Sequence, residues 1–218
     1  MKLLISIEYR TRWGEQLVLR LGRRRIALQY ADGGVWTCAV ERYAPAAQPA
    51  EYRYEVEREG VCIRREWRPH ILRIPATPAP RTLRIRDRWI DMPADTPFYS
   101  SAFTRGIFGR GESGPQQKNG GNITLRVVLP TLRPDEVLAV AGSGRELEGW
   151  QRIVPMDDSR FPEWDLRLDA PQRFEYKFLI ADRRPLTPIM WEEGPNRAWN
   201  DLPGEGEHIV EAAAYLRF

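Results

Sequence analysis

The run at residues 172–180, Q-R-F-E-Y-K-F-L-I, limits what this chain can fold into more than any other. In an extended backbone Phe174, Tyr176 and Phe178 share one face, while Glu175, Lys177 and Leu179 take the other. A period of two does not fit a helix, so the segment predicts a half-buried strand. The D-R-R-P turn at 182–185 follows, then a second extended run into I-M-W-E-E-G-P-N-R, which together predict a hairpin. Lys177 and Trp191 are then expected close together at one end of it. Gly194-Pro195-Asn196 bends the chain and should leave the Asn196 amide beside the Trp191 ring. A flat apolar ring bordered by amide, ammonium and the Glu192 carboxylate suits a sugar, whose C–H face stacks while its hydroxyls bond the rim. The same residues fit equally well a tryptophan packed inside a β domain.

The rest of the chain repeats this style. In the first half, runs at 2–9, 16–21, 25–30, 35–42, 51–58 and 61–67 read as strands, with Asp32-Gly33-Gly34 and Glu59-Gly60 as turns. The run at 122–130 opens another set, and helical periodicity over ten or more residues is hard to find. The expected fold class is all-β: two immunoglobulin-like antiparallel β-sandwich domains in tandem. The expected boundaries are 1–88 for the first domain, 89–121 for a connector and 122–218 for the second. Phe98, Tyr99, Phe103 and Phe108 make the start of the connector too aromatic for a free linker, while its end, E-S-G-P-Q-Q-K-N-G-G, reads as flexible.

Landmarks recur in the same order in both halves. Gly14 to Leu19 parallels Asp135 to Val140, the G-V-W-T around Trp36 parallels the P-E-W-D around Trp164, and Glu51-Tyr52-Arg53-Tyr54 parallels Glu175-Tyr176-Lys177-Phe178. Glu66 to His70 loosely parallels Glu192 to Asn196. This order predicts a duplicated module. The second copy is longer in the loop carrying Leu147-Glu148-Gly149-Trp150. The first copy has no counterpart of Trp150, and Arg65 stands where Trp191 would be, so a spacer or docking role is expected for it.

Composition excludes several classes. Thirty-three basic residues against 30 acidic leave a net charge of only +3, so no nucleic-acid or acidic-membrane partner is expected. Two cysteines, Cys38 and Cys62, are too few for a secreted disulfide scaffold and are expected as reduced, buried thiols in a cytoplasmic chain. No apolar run reaches membrane-spanning length. His70 and His208 are the only histidines, with no metal-spaced cluster, phosphate loop or nucleophile elbow, so catalytic residues, metals and cofactors are all expected to be none. Adjacent carboxylates such as Asp157-Asp158 and Glu192-Glu193 point to opposite faces of a strand and make no acid/base pair.

F-E-Y-K-F followed by W-E-x-G-P-N-R resembles the signature of starch-binding domains, the carbohydrate-binding modules of family 20. The resemblance extends back through V-A-G-S-G-R-E-L-E-G-W (140–150) and F-P-E-W-D-L-R-L-D-A-P (161–171), covering roughly residue 121 onward. It implies that Trp150 and Trp191 form an angled platform for an α-1,4-glucan, with Lys177, Glu192 and Asn196 as the hydrogen-bonding rim. It also implies a buried structural role for Trp164, and leaves Trp199 to core or rim. A second, tyrosine-built site known in the family falls here on Pro134 and Asp157 and is expected to be missing. The expected partners are starch, glycogen, maltodextrins and cyclodextrins.

The R-D-R-W-x-D segment at 86–91, followed by F-Y-S-S-A-F-T-R-G-I-F-x-R at 98–110, resembles the start of the cytosolic disproportionating type of 4-α-glucanotransferase. That resemblance implies an N-terminal piece of a longer polypeptide, with the catalytic domain of the same polypeptide as its other partner.

Overall fold

The computed structural model describes residues 1–45, 49–75, 79–91, 120–213 and 216–218. Most of the connector expected at 89–121 lies outside them. The described residues of Met1–Ala94, together with Gly206–Val210, form one compact unit; those of Asp95–Glu205, together with Glu211–Phe218, form the other.

In the first unit, β1 (Lys2–Glu8), β5 (Val35–Val40) and β4 (Gln29–Ala31) pair antiparallel, and β9 (Thr82–Arg88) lies on the far side of β1. That last pairing is parallel, a departure from the wholly antiparallel expectation. A second sheet runs β3 (Arg24–Ala27), β2 (Glu15–Leu21), β6 (Ala50–Arg58) and β7 (Val61–Arg65), with β8 (His70–Leu72) also on β6. Alternation does the sorting: Leu3, Ile5 and Ile7 of β1, with Leu83 and Ile85 of β9, point inward to meet Leu17, Leu19 and Leu21 of β2 and Tyr52, Tyr54 and Val56 of β6. The result is a sandwich with one core, which Val210 also joins.

Polar groups cross this core in bonded sets. The Tyr52 and Tyr54 hydroxyls, from one sheet, both donate to Asp87 Oδ2 in the other, at 2.7 and 2.8 Å. Glu66 accepts from the backbone N–H groups of Tyr54 and Ile90 at 2.8 and 2.9 Å, with His70 Nε2 2.9 Å away. Bonding of this kind lets buried carboxylates persist in an apolar interior.

The second unit follows the same plan. β10 (Ile123–Val128), β14 (Glu163–Leu168) and β13 (Asp157–Arg160) form one sheet; β12 (Val154–Pro155), β11 (Glu136–Gly142), β15 (Phe174–Asp182), β16 (Pro188–Trp191) and β17 (Arg197–Trp199) form the other. The last strand, β18 (Glu207–Ala212), is shared by sequence between the two units. Register aligns Ile123, Leu125 and Val127 with Leu168, Leu166 and Trp164, all buried. Trp164 is fully buried and its indole N–H donates to Leu129 O at 2.9 Å, the core role expected of it. Trp199, left open above, is also buried and stacks on Phe174 with centroids 6.3 Å apart.

Two expectations need correction. The run at 25–30 is not one strand: it breaks at Leu28, and its halves β3 and β4 join different sheets. Leu28 is buried there, so a continuous apolar pattern conceals a corner. Nor are both cysteines buried. Cys62 lies on β7, the outermost strand of its sheet, every residue of which is exposed. Cys38 is half-buried, and burial pushes its thiol up to about 11. At pH 8 only about one Cys38 in a thousand is therefore thiolate. Iodoacetamide at pH 8 is expected to modify Cys62 promptly and Cys38 only after unfolding, read by peptide mass mapping; equal rates at both sites would contradict the placement.

Candidate functional site

The site is built on the second sheet of the second unit. In β15 the inward set Phe174, Tyr176 and Phe178 is buried; on the opposite side Glu175 is exposed and Lys177 half-buried, while Leu179 and Ala181 are covered. Register fills in that outer face: Leu179 lies between Ala139 of β11 and Trp191 of β16, Lys177 is opposite Ala141, and Glu175 is opposite Ala198 of β17. Cross-strand partners present their side chains on the same side of a sheet. Ala139, Ala141 and Leu179 form a small buried cluster there, with Ile153 packed on it. Trp191 ends the edge strand β16 and is 42% exposed.

Trp150 lies three residues before Ile153, which packs on that cluster. It closes a short 3-10 segment, Arg145–Trp150, whose Leu147 is buried against Gly142. Glu148, Gly149 and Trp150 have φ of 51, 60 and 73°. The left-handed region is easy for glycine, but for a bulky side chain it costs on the order of 1–3 kcal/mol. Hydrogen bonds from Gln151 N to Glu148 O and from Arg152 N to Leu147 O, both 3.3 Å, hold the turn in that shape. The outcome is an indole 37% exposed on a constrained backbone rather than on a free loop.

Of the five residues singled out by sequence, Trp191 and Lys177 share the outer face through the register. Asn196 is exposed and its Nδ2 donates to Glu175 Oε2 at 2.9 Å, which ties it to the same face. Trp150 stands on the 3-10 turn that precedes Ile153. Glu192 does not join them. Next to Trp191 in sequence, it takes the opposite side of the chain, where it is buried at 5% exposure. Its backbone N–H donates to Phe178 O at 3.0 Å, and its carboxylate pairs with Arg197, whose Nε lies 3.1 and 3.0 Å from the two oxygens. The Arg197 guanidinium sits 5.2 Å from the centre of the Phe178 ring. A carboxylate held this way has no oxygen turned to a sugar, so the rim role expected of Glu192 is replaced by a clamp closing the 192–197 loop.

Sequence reasoning missed two residues. Glu175 was legible, since it alternates with Lys177 on the outward set. Arg197 was visible as the last letter of the W-E-x-G-P-N-R motif, but nothing local tells that it folds back on Glu192.

The matching face of the first unit is chemically different. Glu55 lies four residues after Glu51, as Leu179 lies four after Glu175, and Glu55 pairs with Arg65 where Leu179 pairs with Trp191. Glu55 accepts from Arg20 and Arg65 at 2.8 and 2.7 Å, and Glu57 from Arg20 at 3.1 Å and also from Arg25. Burial pulls the Glu55 carboxyl up, but the bonds from Arg20 and Arg65 outweigh it and hold it below its ordinary value. Among the described residues no group of three or more His, Cys, Asp or Glu is placed to hold a metal, and no helix is long and apolar enough to cross a membrane.

Residues 121–204 match the family model CBM_20, described as "Starch binding domain". No curated protein matches the chain. Similar solved structures include the family 20 carbohydrate-binding module of the maltotetraose-forming amylase from Pseudomonas saccharophila STB07, at 20% identity and a TM-score of 0.34, covering 42% of this chain and 98% of that one. A family 15 glucoamylase from Hypocrea jecorina matches at 19% identity and a TM-score of 0.36, covering 46% of this chain and 17% of that one. The gamma-CGTase of alkalophilic Bacillus clarkii matches at 14% identity and a TM-score of 0.35 over 92% of this chain, which spans 23% of that enzyme.

Gly142 tests the construction of the site. A Cβ added there would lie 2.3 Å from Glu175 O and 2.9 Å from Tyr176 Cα, both backbone atoms. Gly142→Ala is expected to push β15 away from β11 and cost about 1–3 kcal/mol, read as a lower urea midpoint. An unchanged midpoint would mean that β11 and β15 do not approach this closely.

Proposed function

We propose that the second unit binds α-1,4-glucans such as starch, glycogen, maltodextrins and cyclodextrins by stacking glucose rings on Trp150 and Trp191. The observation that carries this reading is the exposure of both indoles within the stretch that matches the starch binding domain family, one on a sheet edge and one on a constrained turn. An indole face takes the C–H side of a pyranose, while Lys177 and Asn196 bond its hydroxyls. Two exposed stacks, each worth about 1–3 kcal/mol by analogy with base stacking, set the scale. After ordering costs, the affinity is on the order of micromolar to millimolar. Weak, reversible holding of this kind suits a module that raises the local concentration of glucan for a tethered enzyme.

In this proposal the chain is the non-catalytic region of a cytoplasmic 4-α-glucanotransferase, supported by the motif resemblance at 86–91 and 98–110, and the catalytic domain lies elsewhere in the same polypeptide. The two units are tandem immunoglobulin-like copies. The first serves as a spacer or docking module, a role favoured by the arginine–glutamate lattice that it carries where the second unit carries Leu179 and Trp191.

The test is a titration with β-cyclodextrin and maltoheptaose followed by tryptophan fluorescence, with a single-stranded oligonucleotide in parallel. Trp150→Ala and Trp191→Ala are each expected to weaken cyclodextrin binding by about tenfold or more without lowering the melting temperature. Binding that survives both substitutions would put the sugar on other residues, no cyclodextrin binding by the wild-type chain would favour pure docking, and saturable binding of the oligonucleotide instead would overturn the glucan assignment.

A further inference from the structure

We infer that Glu175 is a positioning residue of this site: it orients the Asn196 amide and does not itself bond sugar. The inference rests on the glucan reading above. The segment between Trp191 and Arg197 has no regular structure, and it turns at Gly194, whose φ of 86° lies in the left-handed region. An exposed loop of that kind would present Trp191 and Asn196 in many relative arrangements. Its base is closed from beneath, where the buried Glu192 carboxylate grips Arg197 and Arg197 stands opposite Tyr176 in the sheet. That clamp leaves the Asn196 side chain free to rotate above the face.

Glu175 removes the remaining freedom. It is exposed on β15, two residues from Lys177 and on the same side, and accepts from Asn196 Nδ2 at 2.9 Å. An ionised carboxylate only accepts, so the amide has to turn its NH2 toward Glu175. This fixes the other end: Asn196 Oδ1 points away from Glu175 as an acceptor for a hydroxyl, and the second N–H remains as a donor. The order is set before ligand arrives, so a rotamer cost otherwise met on binding is already met. Glu175 takes part only through Asn196.

The experiment uses the 218-residue chain and four variants: Glu175→Ala, Glu175→Gln, Asn196→Ala and the Glu175→Ala/Asn196→Ala double variant. Each is titrated with β-cyclodextrin, and the Asn196 side-chain amide is followed by ¹⁵N–¹H NMR. Glu175→Ala is expected to weaken binding about three- to tenfold. Glu175→Gln, whose Oε1 still accepts, should stay within about twofold of wild type. In the Asn196→Ala background, Glu175→Ala should cost nothing further.

Wild-type affinity in Glu175→Ala, an equal loss in Glu175→Gln, or a loss that persists without Asn196 would each overturn the inference. A wild-type chain indifferent to cyclodextrin sinks the glucan reading on its own. The tether is then judged by the amide signals: an Asn196 side-chain proton shifted from the free-amide position that returns to it only in Glu175→Ala upholds it, and no change overturns it.

Discussion

Everything at the site depends on the register of β15. One nine-residue strand presents Phe174, Tyr176 and Phe178 to the core and Glu175 and Lys177 to solvent, and pairs with β11, β16 and β17 at once. The burial that fixes its inward set therefore also fixes its outward set. A slip of one residue would bury Lys177 and expose Tyr176, which the interior forbids. The outer face takes its strand positions from core packing, and the Glu175–Asn196 hydrogen bond adds a contact among its own members.

Where alternation was strict, the sequence was readable. The hairpin at 172–191 and the all-β class follow from period two and turn residues, whereas the burial of Trp164 is what the family resemblance implies. The failures are equally physical. The motif sets Glu192 beside Trp191, but consecutive strand residues face opposite ways, the rule by which Glu192-Glu193 makes no catalytic pair, and Glu192 is buried. Leu28 hides a corner because a buried apolar residue reads alike in a straight strand and at a crossing. The left-handed backbone of Glu148 and Trp150 is invisible in their letters, with Gly149 the only local signal. β8 and β9 lie on either side of a proline-rich stretch, and no local pattern announces that Gly206–Val210 returns to the first unit.

The two units show how one hairpin geometry supports opposite surfaces. At matched register the second carries Leu179 beside Trp191, and the first Glu55 beside Arg65. An apolar strand face with an exposed indole can exchange water for the flat side of a ring. A face of buried carboxylates already gripped by Arg20, Arg25 and Arg65 offers no such surface, and its groups have their partners. The difference falls at paired positions on the side of each sheet away from the main core, where Leu179 is itself buried in a small cluster with Ala139 and Ala141 and Glu55 is buried too.

The central claim is that glucan lies on two particular indoles among the eight tryptophans of the chain. Intermolecular NOEs between bound maltoheptaose and the tryptophan rings address it most directly, because each indole reports separately. NOEs are expected from sugar C–H protons to the rings of Trp150 and Trp191, with the buried Trp164 and Trp199 silent. Contacts centred on any other tryptophan, or on only one of the pair, would contradict it.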